Sequence, residues 1–320
     1  LVKRNTRIPS RSPGVGPPPT GLHELERFTH ADLQHWQQVS RDLDELNASL
    51  YFGLEPARRR LRARLCDAII QTGGVQVTLE QWVRMVTYQY SLEPLSCAGS
   101  LQSIGGRFNA GHELDDNTLN PWPALYLAEN FETAFREKFQ LSSTDSTLGL
   151  SPSELALEHA VSHSTVFVGG KLCNIFDMTT FTALNSVGKI FREVKMPKEA
   201  VALAKKLKIP NASSTMIQSG QQLHHALTKH NWRIFPVQFG IPSPSQIMAE
   251  LIRACGYEGI MYPSSKGKGR CLAIFPDKLA DASHISLIGN AASPSTITCL
   301  DINTAQSLEG WDSIPRNRRP

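Results

Sequence analysis

Apolar residues fall three and four apart through two early runs, HADLQHWQQVSRDLDELNASL and EPARRRLRARLCDAIIQ, which predicts two helices within residues 21–72. Gly73 and Gly74 stop the second run. Arg58, Arg59, Arg60, Arg62 and Arg64 circle its polar side and read as a solvated face. From Val75 the character changes: VQVTLEQWVRMVTYQY is β-branched and aromatic, predicting a strand around Trp82–Thr87. PALYLA (123–128), STVFVG (164–169) and the following KLCNIFDM are further short strands, the last closed by Asp177 as a turn former. PKEAVALAKKLKI predicts an amphipathic helix between Pro197 and Ile209, with proline in its first turn. A second helix covers 217–229, and a third runs from about Ser245 to Cys255 and is stopped by Gly256. GIMYP and CLAIF then form two strands joined by SSKGKGR, a hairpin-like turn. There is no internal repeat, and the pattern is that of an α+β protein with short strands around a mixed core.

Composition refines this picture. Residues 1–20 are rich in Pro, Gly, Arg and Ser and read as a disordered tail without the apolar run of a secretory signal. Residues 21–75 form a helical N-terminal extension, 76–290 the main domain, and 291–320 a polar C-terminal tail. The formal net charge of +4 arises in the tails. Lys3, Arg4, Arg7, Arg11, Arg316, Arg318 and Arg319 supply seven positive charges, leaving the body slightly acidic. Such a body lacks the basic footprint of a nucleic-acid binder. No stretch approaches the roughly 20 apolar residues of a membrane helix. The six cysteines form no C-x-x-C pair and lie beside no histidine at ligand spacing, and His224, His225 and His230 lack acidic or thiol partners. No metal is therefore predicted, and the thiols read as reduced, in a reducing compartment.

The chemistry concentrates in GSLQSIGGRFN (99–109) and PALYLAENFETAFREKF (123–139). Gly105 and Gly106 precede Arg107, where missing side chains would let a ligand approach the backbone. The planar fork of Arg107 suits two phosphate oxygens at once. Tyr126 lies in a strand, and Asn130 caps the helix that follows. Phe131, Ala134, Phe135 and Phe139 define that helix's apolar stripe, with Glu137 about 60° outside its edge at about 100° per residue. A carboxylate there stands at the boundary between core and cleft.

GGRFN, ALYLAE, a helix ending in glutamate, and GYEGIMYPSS ahead of CLAIFPD together resemble the RES domain over about residues 80–290. The resemblance implies an ADP-ribosyltransferase-like fold and action on NAD⁺ as substrate, by glycohydrolysis, phosphorolysis or transfer. It also implies a toxin, with a protein antitoxin or immunity partner, working in the cytoplasm of the producer or of a target cell. Residue by residue, Arg107, Tyr126 and Glu137 match the family's catalytic arginine, tyrosine and glutamate. Ser264 matches the serine, with Ser265 an adjacent alternative, and Arg84 matches the basic residue of the first strand. Gly106 and Asn109 complete the dinucleotide-binding set. The loop between Arg107 and Tyr126, the 140–230 stretch and the N-terminal helices all depart from the compact family form.

Cleaving the nicotinamide–ribose bond develops positive charge on the sugar. In this reading Glu137 stabilises that charge, Arg107 and Arg84 hold the diphosphate, Tyr126 offers a flat face, and Ser264 supplies a hydrogen bond. Two rival readings keep the fold: a mono-ADP-ribosyltransferase acting on a macromolecule, and an interaction module without turnover. His112 and KGKGR (266–270) read as a loop histidine and a solvated turn.

Overall fold

The computed structural model describes residues 29–114, 118–141, 162–210, 216–291 and 293–310. The expected tail at 1–20 lies outside these. The two predicted N-terminal helices are one, α1, His30–Thr72, 43 residues long, running through Pro56. Thr29 starts it with a capping box: its hydroxyl accepts the Asp32 N–H while the Asp32 carboxylate accepts the Thr29 N–H. Arg58 braces the turn around Pro56, donating to the Tyr51 carbonyl at 2.8 Å and to Glu55.

The C-terminal half of α1 buries Leu61, Leu65, Ala68 and Ile69 in the main core. Each fully buried large aliphatic chain contributes roughly 1.5–3 kcal/mol. Arg62 and Arg64 are not merely solvated; they pair bidentately with Glu250 and Glu193. Exposed pairs of this kind contribute about 0–1 kcal/mol. Apolar burial therefore dominates the docking of α1, and the ion pairs set its orientation.

Nine strands follow among the described residues: β1 Val75–Thr87, β2 Gly105–Gly106, β3 Asn109–Ala110, β4 Leu125–Ala128, β5 His163–Asp177, β6 Gly259–Pro263, β7 Arg270–Ile274, β8 His284–Ile288 and β9 Cys299–Leu300. β1 starts well before the predicted Trp82, and the two strands expected at 164–169 and KLCNIFDM are one continuous β5. Gly170 lets β5 continue, because at φ +146° a Cβ there would lie 2.2 Å from the His284 carbonyl oxygen of β8. The sheet order is β1-β4-β7-β6-β5-β8-β9, and β1 also pairs with β5, closing the first five strands into a ring. Among the described residues only the β5–β6 pairing is parallel.

Period-two alternation divides this sheet between two cores. Val83, Ala128, Phe176, Ile260, Tyr262, Cys271 and Ala273 pack on the face covered by helices. Trp82, Leu125, Leu127, Ile175, Met261, Leu272 and Ile274 pack on the other. The covering helices are α3 Asn185–Phe191, α5 Gly220–Thr228 and α7 Pro244–Ala254; α2 (Phe131–Phe139), α4 (Lys198–Lys206) and α6 (Ile234–Phe239) lie around them. The expected polar tail is partly folded. α8 (Ala305–Glu309) buries Ala305 and Leu308 in the second core, and the Leu308 carbonyl accepts bonds from the Cys97 N–H and the Ser96 hydroxyl. Asp177 does close β5 as a turn former, its Oδ1 accepting the Thr179 N–H and hydroxyl. Among the described residues no helix is long and apolar enough to cross a membrane.

Candidate active site

β2 and β3 form a tight hairpin in which Gly106 pairs with Asn109, leaving Arg107 and Phe108 as its two-residue turn. Phe108 turns inward, fully buried against Tyr262 with ring centroids 4.6 Å apart. Arg107 is displayed from the same turn. Gly106 is required here, but not for a ligand: a Cβ would lie 2.3 Å from the Tyr126 hydroxyl. Its N–H and carbonyl are both engaged, with Asn109 and Gln246.

Asn109 is likewise no ligand-facing residue. It is 0% exposed. Its Oδ1 accepts from the Gly106 N–H and the Tyr126 hydroxyl, each at 2.9 Å, and its Nδ2 donates to the Ser100 and Trp122 carbonyls. The Tyr126 oxygen in turn accepts the Phe108 N–H at 2.9 Å. Burial, offset in part by that bond and by nearby Arg107, raises the Tyr126 pKa and keeps the phenol neutral. Gly106, Asn109 and Tyr126 thus lock the Arg107 turn.

The phenylalanine stripe misplaces α2. Phe131 is exposed and Phe135 and Phe139 are half-buried, whereas Thr133 and Ala134 are buried. Thr133 and Glu137 are four residues apart and so share a face. Glu137 therefore stands on the inward side of the helix, not outside the edge of its buried stripe. Its Oε1 accepts the Ser264 hydroxyl at 2.6 Å and the Ser265 N–H at 3.0 Å. Its Oε2 accepts no hydrogen bond among the described residues and is not sealed from solvent. Ser264 Oγ also accepts the Lys266 and Gly267 N–H groups, so the start of KGKGR is a turn wrapped on Ser264. Both candidate serines are engaged, because Ser265 Oγ accepts from Arg107 Nη2 at 3.0 Å.

Arg107, 7% exposed, also donates Nη1 to the carbonyls of Lys229 (2.6 Å) and Leu227 (3.3 Å) at the end of α5. Arg107, Tyr126, Glu137, Ser264 and Ser265, from distant parts of the chain, therefore meet in one network. Arg84 does not join them. It follows Val83 on β1 and projects to the opposite face, donating to the carbonyls of Pro94, Ser96 and Tyr126. It staples the backbone on that face and makes no hydrogen bond to the side chains of this network.

Three residues escaped the sequence reading. Gln246, fully buried, directs Nε2 at the carbonyls of Ile104, Gly106 and Asn109 and so clamps both arms of the hairpin. Its signal was legible, since Ser243 and Gln246 form an S-x-x-Q capping box. Tyr262 packs beneath Phe108, and burial raises its pKa strongly, reinforced by Glu137 nearby. Arg233, at the N-terminus of α6, lies within electrostatic reach of Arg107, Glu137 and Tyr126. Nothing in NWRIF marks it. A hollow of about 560 Å³ between α1 and the 238–241 segment lies apart from this network.

No family model matches the chain, and no curated protein matches it. Among solved structures it is similar to a chain in the crystal structure of the M. tuberculosis MbcT–MbcA toxin–antitoxin complex, at 15% identity and a TM-score of 0.39, covering 77% of this chain and 97% of that one.

Proposed function

We propose that this chain is an NAD⁺-consuming toxin of the RES type with an ADP-ribosyltransferase-like core, breaking the bond between nicotinamide and ribose. The supporting observation is the Glu137 carboxylate: one oxygen is fixed by Ser264 and Ser265, the other accepts no hydrogen bond among the described residues, and Arg107 joins the same network through Ser265. As the C–N bond breaks, its electron pair leaves with nicotinamide and positive charge develops on the ribose carbon. A preoriented carboxylate stabilises that charge without reorganising. Water or phosphate then attacks the carbon, and Glu137 can take the proton of an attacking water. Ser264 is a positioning residue in this scheme, acting on the glutamate and not on nicotinamide. Arg107 adds positive charge facing the diphosphate. NAD⁺ is the substrate, and a protein antitoxin or immunity partner and cytoplasmic action belong to the same reading.

The test is incubation of the purified protein with NAD⁺, with and without phosphate, followed by NMR. Nicotinamide with ADP-ribose is the hydrolytic outcome, and ADP-ribose 1″-phosphate the phosphorolytic one. Labelling of a macromolecule without bulk NAD⁺ loss would favour the transferase reading instead. No change in NAD⁺ with any acceptor would overturn the enzymatic proposal.

A further inference from the structure

We propose that Arg233 is the residue that takes the diphosphate of the dinucleotide directly, while Arg107 is held mainly by the protein itself; this rests on the reading of the site as one that accepts NAD⁺. Arg107 is nearly buried and already makes three hydrogen bonds, to the Leu227 and Lys229 carbonyls and to Ser265 Oγ. A guanidinium carries five N–H donors. Arg107 therefore has few left to offer, and little of it is accessible.

Arg233 is the opposite case. It is exposed, and among the described residues its one side-chain hydrogen bond is Nη1 to Gln140 Oε1 at 3.0 Å. It forms no ion pair among the described residues, and its guanidinium lies over the Trp232 ring, 4.8 Å from the centroid. Stacking and the Gln140 bond hold the plane in place while leaving most of its donors free. Gln140 also donates Nε2 to the Glu137 carbonyl at 2.6 Å, which ties Arg233 to the end of the helix bearing the carboxylate.

The charges agree. Arg233 lies within electrostatic reach of both the Arg107 cation and the Glu137 carboxylate. Desolvation of the guanidinium by the surrounding protein first and the Arg107 charge second disfavour the charged Arg233. A bound dianion would relieve that repulsion, and a planar fork suits paired phosphate oxygens.

The experiment compares Arg233→Ala and Arg233→Lys with the wild-type chain on NAD⁺ and on nicotinamide riboside, which has the scissile bond but no diphosphate. Losing charge-assisted hydrogen bonds should raise KM for NAD⁺ roughly tenfold to a hundredfold with kcat within about threefold. The preference for NAD⁺ over the riboside should fall by the same factor, and Arg233→Lys should recover part of it. An unchanged KM, or parallel losses on both substrates, would overturn the proposal. Calorimetric titration with inorganic pyrophosphate separates this from the catalytic reading. Pyrophosphate binding that Arg233→Ala abolishes supports the anion site even if NAD⁺ is not turned over; no binding to the wild-type chain would sink it.

Discussion

The Ser264 hydroxyl donates to Glu137 Oε1 at 2.6 Å, joining the turn after β6 to the last turn of α2 across 127 residues of sequence. Seated with the Ser265 N–H on the same oxygen, this bond fixes the carboxylate, while Oε2 accepts no hydrogen bond among the described residues.

Glu137→Ala should therefore lose on the order of a hundredfold or more in NAD⁺ turnover, the scale for removing a preorganised charge. Glu137→Gln, which keeps the shape but not the charge, should be similarly impaired. Steady-state rates on protein of unchanged circular dichroism check this, and near-wild-type turnover by either variant would remove Glu137 from the mechanism.

Gly106→Ala should destabilise the fold and disturb the Arg107 turn. The new methyl would sit 2.3 Å from the Tyr126 hydroxyl and 2.7 Å from Asn109 Oδ1, two groups already bonded to each other. Overpacking of this kind costs about 1–3 kcal/mol. Thermal denaturation should show a lower Tm; an unchanged Tm contradicts the close approach.

Gln246→Leu removes the one side chain that clamps Ile104, Gly106 and Asn109 together. Each buried acceptor left without a donor costs about 1–3 kcal/mol. Urea denaturation should show the loss. Hydrogen exchange should show it localised to residues 104–110, and a loss spread evenly over the chain would argue against a hairpin clamp.

Alkaline stability should depend on Tyr126. Burial raises its folded pKa above the ordinary 10.0, so the native state retains a proton that the unfolded chain releases. The resulting stability is fully present below about pH 10 and falls as pH climbs beyond it, by at most about 1.4 kcal/mol per pH unit for one group. Between about pH 9 and about pH 11, the urea midpoint of the wild type should drop more than that of Tyr126→Phe. Tyr262, raised in the same direction, leaves a residual drop in both. Equal drops would show that Tyr126 does not titrate in this way.

Local pattern alone determined much of this protein. Helical spacing and the stop at Gly256 foretold α7, because periodicity and helix stops are properties of neighbouring residues. The strands GIMYP and CLAIF and the turn at Asp177 were legible for the same reason. Sequence also nominated Arg107, Tyr126, Glu137 and the Ser264–Ser265 pair, though mainly through a resemblance. What it could not decide was direction in space. The phenylalanines of α2 made the wrong face look buried, since α2 packs its Thr133 and Ala134 side and leaves Phe131 exposed. Arg84, expected beside Arg107, is sent to the far face by strand alternation on β1. Asn109 looked like a ligand and is instead a fully buried lock. Arg233 was invisible, because the contacts that hold it beside Glu137 come from Trp232 and from Gln140, 93 residues away. A linear pattern records which side chains can share a face of one element. Only packing of elements distant in sequence decides which face turns inward and which charges meet.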